Sequence, residues 1–168
     1  LVEDMVKGIR GKRSDRRIET ELDLMVKGFI HKDYDPDLNR RLDFYRRMQV
    51  ASEYDEGLAI GSELADRYGP HPESVAKLLA LLEIRMLCQR IHISKIELKH
   101  NDACVHLLPS TAINPQILTS LFDERLSMQS EYKIKIRLDR KGWKTDLKLV
   151  KNYLQKLAHS LVPVEEEN

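Results

Sequence analysis

The sequence predicts an α+β fold, a single domain with several helices packed on a small, mostly antiparallel sheet. Three observations carry this. Tyr132, Ile134, Ile136 and Leu138 alternate strictly with Lys133, Lys135 and Arg137, the parity of a half-buried strand. Ile96 and Leu98 alternate with Glu97 and Lys99, Asn101-Asp102 offers a turn, and Val105 and Leu107 alternate with Cys104 and His106, as in a hairpin. The other apolar residues recur at three- and four-residue steps in blocks grouped between separated strands, which favours α+β over a doubly wound parallel sheet.

Taken in chain order, Val2, Met5, Val6 and Ile9 have helical spacing, so residues 1–11 read as a helix within a longer chain. Gly11 stops that helix, and a basic polar stretch from Lys12 to Arg17 makes 12–21 the linker. The domain proper is expected over 22–162, followed by an acidic tail at 163–168. Leu22, Leu24, Val26 and Ile30 share a parity of two and predict a first strand. Asp35-Pro36 then supplies an N-cap carboxylate and a proline at the first helical position, with Leu38, Leu42 and Tyr45 as the apolar stripe of a helix to about Ala51.

A second helix is expected from about Tyr54 to Tyr68, burying Leu58, Gly61, Ala65 and Tyr68 and stopped by Gly69-Pro70. Pro72 opens a third, whose stripe of Val75, Leu78, Leu79, Leu82 and Met86 is widened by Leu81, Ile84, Cys88 and Ile91, so it should be the most buried. After the hairpin, Asn114-Pro115 repeats the cap-plus-proline signal for a helix with Ile117, Leu118, Leu121 and Phe122. Beyond the 132–138 strand, Thr145 is read as the cap of a last helix with Leu147, Val150, Leu154, Leu157 and Leu161 on one face.

Composition narrows function by exclusion. The 168 residues carry 28 basic and 27 acidic side chains, a net charge of +1, so no global field draws nucleic acid or anionic membrane. No apolar run of membrane-spanning length and no secretory signal pattern occur, so a cytoplasmic address is expected. The glycines form no G-x-x-x-x-G-K loop, and neither G-x-S-x-G nor H-E-x-x-H is present, so no nucleotide, hydrolase or zinc-protease motif supports an enzyme. Cys88, His92, Cys104 and His106 are soft or borderline ligands, yet their spacing matches no standard zinc motif; the expectation is no metal and no cofactor.

Two charged constellations remain. Arg40 and Arg47 share a helical face in a basic run with Arg41 and Arg46, and are candidate nucleic-acid contacts, although interleaved Asp37 and Asp43 and the lack of an aromatic platform favour a solvated face. Glu63 and Asp66 lie three apart on one ridge, and Glu63 can pair with Arg67 one turn on. Two carboxylates on one ridge can accept a partner's arginines, while nothing nearby suggests the desolvation a catalytic dyad needs.

Four stretches resemble the C-terminal regulatory domain of bacterial transcription-repair coupling factors, the Mfd family. Phe29 to Asp37 resembles its strand-to-helix junction, and Arg40-Arg41-Leu42-Asp43-Phe44-Tyr45-Arg46-Arg47 its R-L-x-[FL]-Y-[KR]-R run. Glu63-Leu64-Ala65-Asp66-Arg67-Tyr68-Gly69-Pro70 with Pro72 resembles E-L-x-D-R-[FY]-G-x-x-P, and Leu87 to Ile96 resembles L-x-x-x-x-G-I-x-K-[IL]. The resemblance covers about 22–157, and it implies that residues 1–11 are the end of the preceding motor-module helix. His92 stands where the family has glycine, and the His100-Asn101-Asp102 turn lacks the usual glycines.

The resemblance implies a non-catalytic autoinhibitory lid of a bacterial transcription-coupled DNA repair translocase. Such a lid docks on the UvrB-like module of its own chain and masks the UvrA-binding surface until the motor engages stalled RNA polymerase. UvrA, RNA polymerase and DNA are then indirect partners, with ATP and Mg confined to the parent's motor. By motif position, Glu63 and Asp66 are the arginine acceptors and Arg67 a neighbouring contact. A nucleic-acid-binding accessory module using Arg40 and Arg47 is the alternative.

Overall fold

The computed structural model describes residues 18–111 and 113–160. The expected opening helix, the basic stretch from Lys12 to Arg17, Leu161 and the acidic tail lie outside them. In chain order the elements are β1 (Glu21–Asp23), α1 (Leu38–Val50), α2 (Tyr54–Tyr68), α3 (Glu73–Arg90), β2 (Ile93–Lys99), β3 (Asp102–Leu107), α4 (Pro115–Leu121), β4 (Leu126–Ser130), β5 (Lys133–Arg137) and α5 (Trp143–His159). The sheet order is β1-β2-β3-β5-β4, antiparallel throughout except for the parallel β1–β2 pair. Five helices on a mostly antiparallel sheet is the fold class that the alternation and grouping predict.

The hairpin pairs Lys99 with Asp102, so its loop is His100-Asn101, one residue earlier than the expected turn. Without glycine there, His100 itself takes a left-handed φ of 55°, and His92 does the same at 58° before β2. Glycine would sit at either place without the Cβ penalty.

The first strand is shorter than its pattern. β1 ends at Asp23 because Met25 adopts a φ of 59°, turning the chain off the sheet edge. The next residues run against α3, where the Phe29 N–H donates to the Ser74 carbonyl at 3.0 Å. A Cβ on Gly28 would lie 2.1 Å from the Leu78 backbone nitrogen, so only glycine permits this approach. β4 is an addition that the pattern analysis did not predict.

Helix boundaries follow their caps. Asp37, not Asp35, caps α1, its carboxylate accepting the N–H groups of Asn39 and Arg40 at 2.9 and 3.2 Å. Asn114 caps α4 as expected. Gly142 precedes α5, so Thr145 lies inside that helix rather than capping it.

α3 separates two hydrophobic clusters. Toward the sheet, Ile84, Leu87 and Cys88 join Ile93, Ile96, Val105, Ile134 and Ile136, closed by Leu147, Val150, Leu154 and Leu157 of α5. On its other side Val75, Leu82 and Met86 meet Phe44 and Met48 of α1 and Ile60 and Leu64 of α2. A helix buried on two sides reads as apolar nearly all round, as its sequence does.

Two expected stripes are displaced. Leu38 and Leu42 are 58% and 49% exposed, and α1 buries Phe44 and Met48 instead. In α2, Leu58 is exposed and the buried face is Gly57, Ile60, Gly61 and Leu64. Full burial of such side chains contributes roughly 1.5–3 kcal/mol each, so the helix angles follow them.

Candidate functional site

The N-terminal end of α1 and the C-terminal end of α2 meet in a corner built on a buried polar frame. The Tyr34 hydroxyl lies 3.0 Å from the Leu64 carbonyl and 2.8 Å from that of Gly69, tying the chain before α1 to the end of α2. Gly69, at a φ of +86°, ends α2, its N–H donating to the Ala65 carbonyl. Asp35 is fully buried beneath the corner; its Oδ1 accepts the Asp37 N–H at 3.1 Å and lies 3.6 Å from Arg40 Nε, and its carbonyl accepts from Arg41 Nη1 at 2.6 Å. The Tyr68 ring tilts against Tyr34 with centroids 5.4 Å apart, and the Arg40 guanidinium lies 5.9 Å from its centre. Burial, then the neighbouring Asp35 carboxylate, raises the Tyr68 hydroxyl pKa.

On this frame stand the residues that the sequence singled out. Glu63 is held from two sides: Arg47 Nη2 donates to Oε2 at 2.6 Å, and Arg67 Nη2 lies 3.2 Å from Oε1. The hydrogen bond from Arg47 holds its carboxyl below the usual range, against partial burial, with Arg47 and Arg67 adding their charge. Arg47 also sits over the Phe44 ring, 5.3 Å from its centre. Asp66 is exposed, one turn on, with no ion-pair partner among the described residues. Glu63 and Asp66 thus share a ridge, but Glu63, at 29% side-chain exposure, is not an open acceptor.

The basic face is differently placed. Arg47 is engaged by Glu63, and Arg40 is flanked by Asp35 at 3.6 Å and Asp37 at 3.7 Å, so neither candidate nucleic-acid contact is a free cation. Asp35 is the residue that sequence reasoning misassigned: read as a helix cap, it is a buried carboxyl group under the corner. Its only local signal was the cap pattern, which the second aspartate, Asp37, also satisfies.

Elsewhere the candidate ligands diverge. Cys88 is buried in the sheet-side core, where burial pushes its thiol pKa up. Cys104 and His106 alternate with the core-facing Ala103 and Val105 and therefore sit on the opposite sheet face. There His106 Nε2 lies 3.0 Å from Glu97, while His92 pairs with Ser110 at 3.2 Å. A groove of about 670 Å³ runs between α2, α3 and α5, crossed at one wall by a 2.5 Å Glu83–Lys151 ion pair. No helix among the described residues is long and apolar enough to cross a membrane.

Fold and corner together define a class: a small α+β domain that carries an ion-paired junction of two helix ends. Comparison makes that class specific. The model of the family described as TRCF domain matches residues 24–118, and the chain belongs to that family. The transcription-repair-coupling factor of Escherichia coli is 26% identical over 147 residues, covering 86% of this chain but 13% of that protein. That of Myxococcus xanthus is 39% identical over 88 residues, 51% of this chain and 7% of that protein. The chain therefore spans only about an eighth of the Escherichia coli relative it matches. A crystal structure of the C-terminal domain of transcription-repair coupling factor superposes with a TM-score of 0.75 at 16% identity, over 85% of this chain and 94% of that one, and shows the same fold.

Proposed function

We propose that this chain is a non-catalytic, autoinhibitory lid of a cytoplasmic, ATP-driven repair translocase. It docks on the UvrB-like module of its own parent and masks the UvrA-binding surface until the motor engages stalled RNA polymerase. The observation that carries this reading is the corner itself, where Glu63, Asp66 and Arg67 stand on a frame fixed by Tyr34, Asp35 and Tyr68. Rigid support lowers the entropy lost when charged groups dock. Membership of the TRCF domain family supports the parent's role in coupling transcription to repair.

A modest interface suffices for a tethered lid. At an effective concentration of roughly 1 mM, an intrinsic Kd of ~10 μM keeps about 99% of molecules closed. Reversing that to about 1:99 takes roughly 5.5 kcal/mol of differential binding, which engagement of polymerase and DNA would have to supply. The test is a parent protein carrying both Glu63→Lys and Asp66→Lys. UvrA binding should rise by at least tenfold; unchanged affinity would contradict the masking role.

A further inference from the structure

We propose that the exposed apolar stripe of α1, with the hollow beside it, seats the amphipathic helix that the sequence assigns to residues 1–11. The inference concerns how the domain is joined to what precedes it, and it stands whether or not the corner docks.

Two apolar stripes are left over. The first is the one that the sequence assigned to the core side of α1. Leu38 and Leu42 are 58% and 49% exposed, because Phe44 and Met48 take the buried side. Tyr45 continues that stripe one turn on, and there it lines a hollow of about 430 Å³ between α1, α3 and β1. Thr20, Leu22, Leu78 and Leu81 share the lining, each only half-buried. The Tyr45 hydroxyl accepts the Ile30 N–H at 2.7 Å, which fixes the ring where stripe and hollow meet. Arg85 is the charged residue of the lining, and its guanidinium donates to the Met48 carbonyl. The hollow therefore suits an apolar occupant, and exposed apolar surface of this kind marks a place that another element covers.

The second stripe is Val2, Met5, Val6 and Ile9. A short amphipathic helix is stable in water only when its stripe is packed. Val2 to Ile9 and Leu38 to Tyr45 each run through seven residue steps, about 10 Å of helix. Chain order brings the two together. The described residues open at Ile18, two before Thr20 in the lining of the hollow. Residues 12–17 reach roughly 20 Å when extended, more than the ~16 Å of α1 from Leu38 to Gln49. An occupant tethered this closely needs only weak contacts to stay seated. As the end of the preceding module, that helix makes α1 the joint between the module and this domain.

The experiment uses the whole chain with a nitroxide attached at Lys7→Cys, on the side of the expected helix away from its stripe; Cys88 and Cys104 are buried and leave the label one site. The methyl signals of Leu42, Leu78 and Leu81 should lose at least half their intensity. Those of Leu126 and Met128, on the strand at the far edge of the sheet from β1, should keep theirs. Adding Met5→Asp with Ile9→Asp should restore the lost signals, and Leu42→Asp should restore those of Leu78 and Leu81. The first pair lies outside the described fold, so it decides the question even if Leu42→Asp disturbs folding. Full signals in the labelled chain, or broadening that survives Met5→Asp with Ile9→Asp, would overturn the inference. So would broadening that arises only between molecules, when a labelled chain is mixed with an isotope-enriched unaltered one, because the occupant would then be a second copy.

Discussion

The two sides of α3 are built for different ends. Toward the sheet, the core is a continuous apolar layer whose β-branched residues on β2, β3 and β5 are sealed by a regular stripe from α5. Toward α1 and α2, the cluster is smaller and its margin is polar: Asp35 is buried there, and the Tyr34 and Tyr68 hydroxyls point inward. Regular burial gives stability with little surface detail. The polar margin gives defined positions to exposed charges, at the cost of burying groups that need partners. In this domain the sheet side holds the fold, and the helical side holds the charged corner to which the proposed docking is assigned.

Removing packing on the sheet side should have the largest effect. Leu154→Ala, at a fully buried position, should cost about 3 kcal/mol in urea or thermal unfolding, within the roughly 2–5 kcal/mol range of such truncations. Docking of the folded fraction should be unchanged. A loss of docking at full folding would break the division between the two sides. Gly28→Ala should come next, at about 2–3 kcal/mol, because the added carbon meets Leu78 backbone that cannot rotate away. That variant should also weaken docking, since residues after Gly28 lead into Tyr34 and the frame of the corner.

The smallest effect is the pH response of the outer sheet face. Glu97 accepts from His106 and also meets Lys99 and Lys95, and these partners, His106 first, hold its pKa down to about 2 from an ordinary 4.5. A depressed carboxylate contributes stability that is complete above the unfolded value and is lost as pH falls from about 4.5 toward 2. Glu97→Gln should therefore flatten the stability profile below pH 4.5, lowering stability modestly at neutral pH, where the carboxylate's contribution is complete, and converging on the unaltered chain as pH nears 2. A profile identical to the unaltered chain would show that the network contributes nothing.

Much of this architecture was legible in local pattern. The bounds of α2, the Asn114 cap, the hairpin and the alternating strand each depend on neighbours within one turn or one pleat. What failed depended on distant partners. Both Leu38/Leu42/Tyr45 and Phe44/Met48 are helix-spaced sets, and which is buried is decided by where α2 and α3 lie. The first strand was overextended because its alternation continues while Met25 and Gly28 take the backbone onto α3. β4 offers only Leu126 and Met128 in alternation, too little to stand out. At the corner, the Glu63–Arg67 pair follows from i,i+4 spacing, whereas the Arg47–Glu63 contact spans 16 residues and needs the α1–α2 crossing to exist.

The lid itself is most directly read by hydrogen–deuterium exchange across residues 63–69, comparing the resting parent protein with this chain alone. Docking predicts slower exchange in the parent there, relieved when the motor is engaged on DNA, with the β2–β3 hairpin unaffected. Equal exchange at residues 63–69 in the parent and the isolated chain would mean that the corner faces solvent in both, and the account of a masking domain would be wrong.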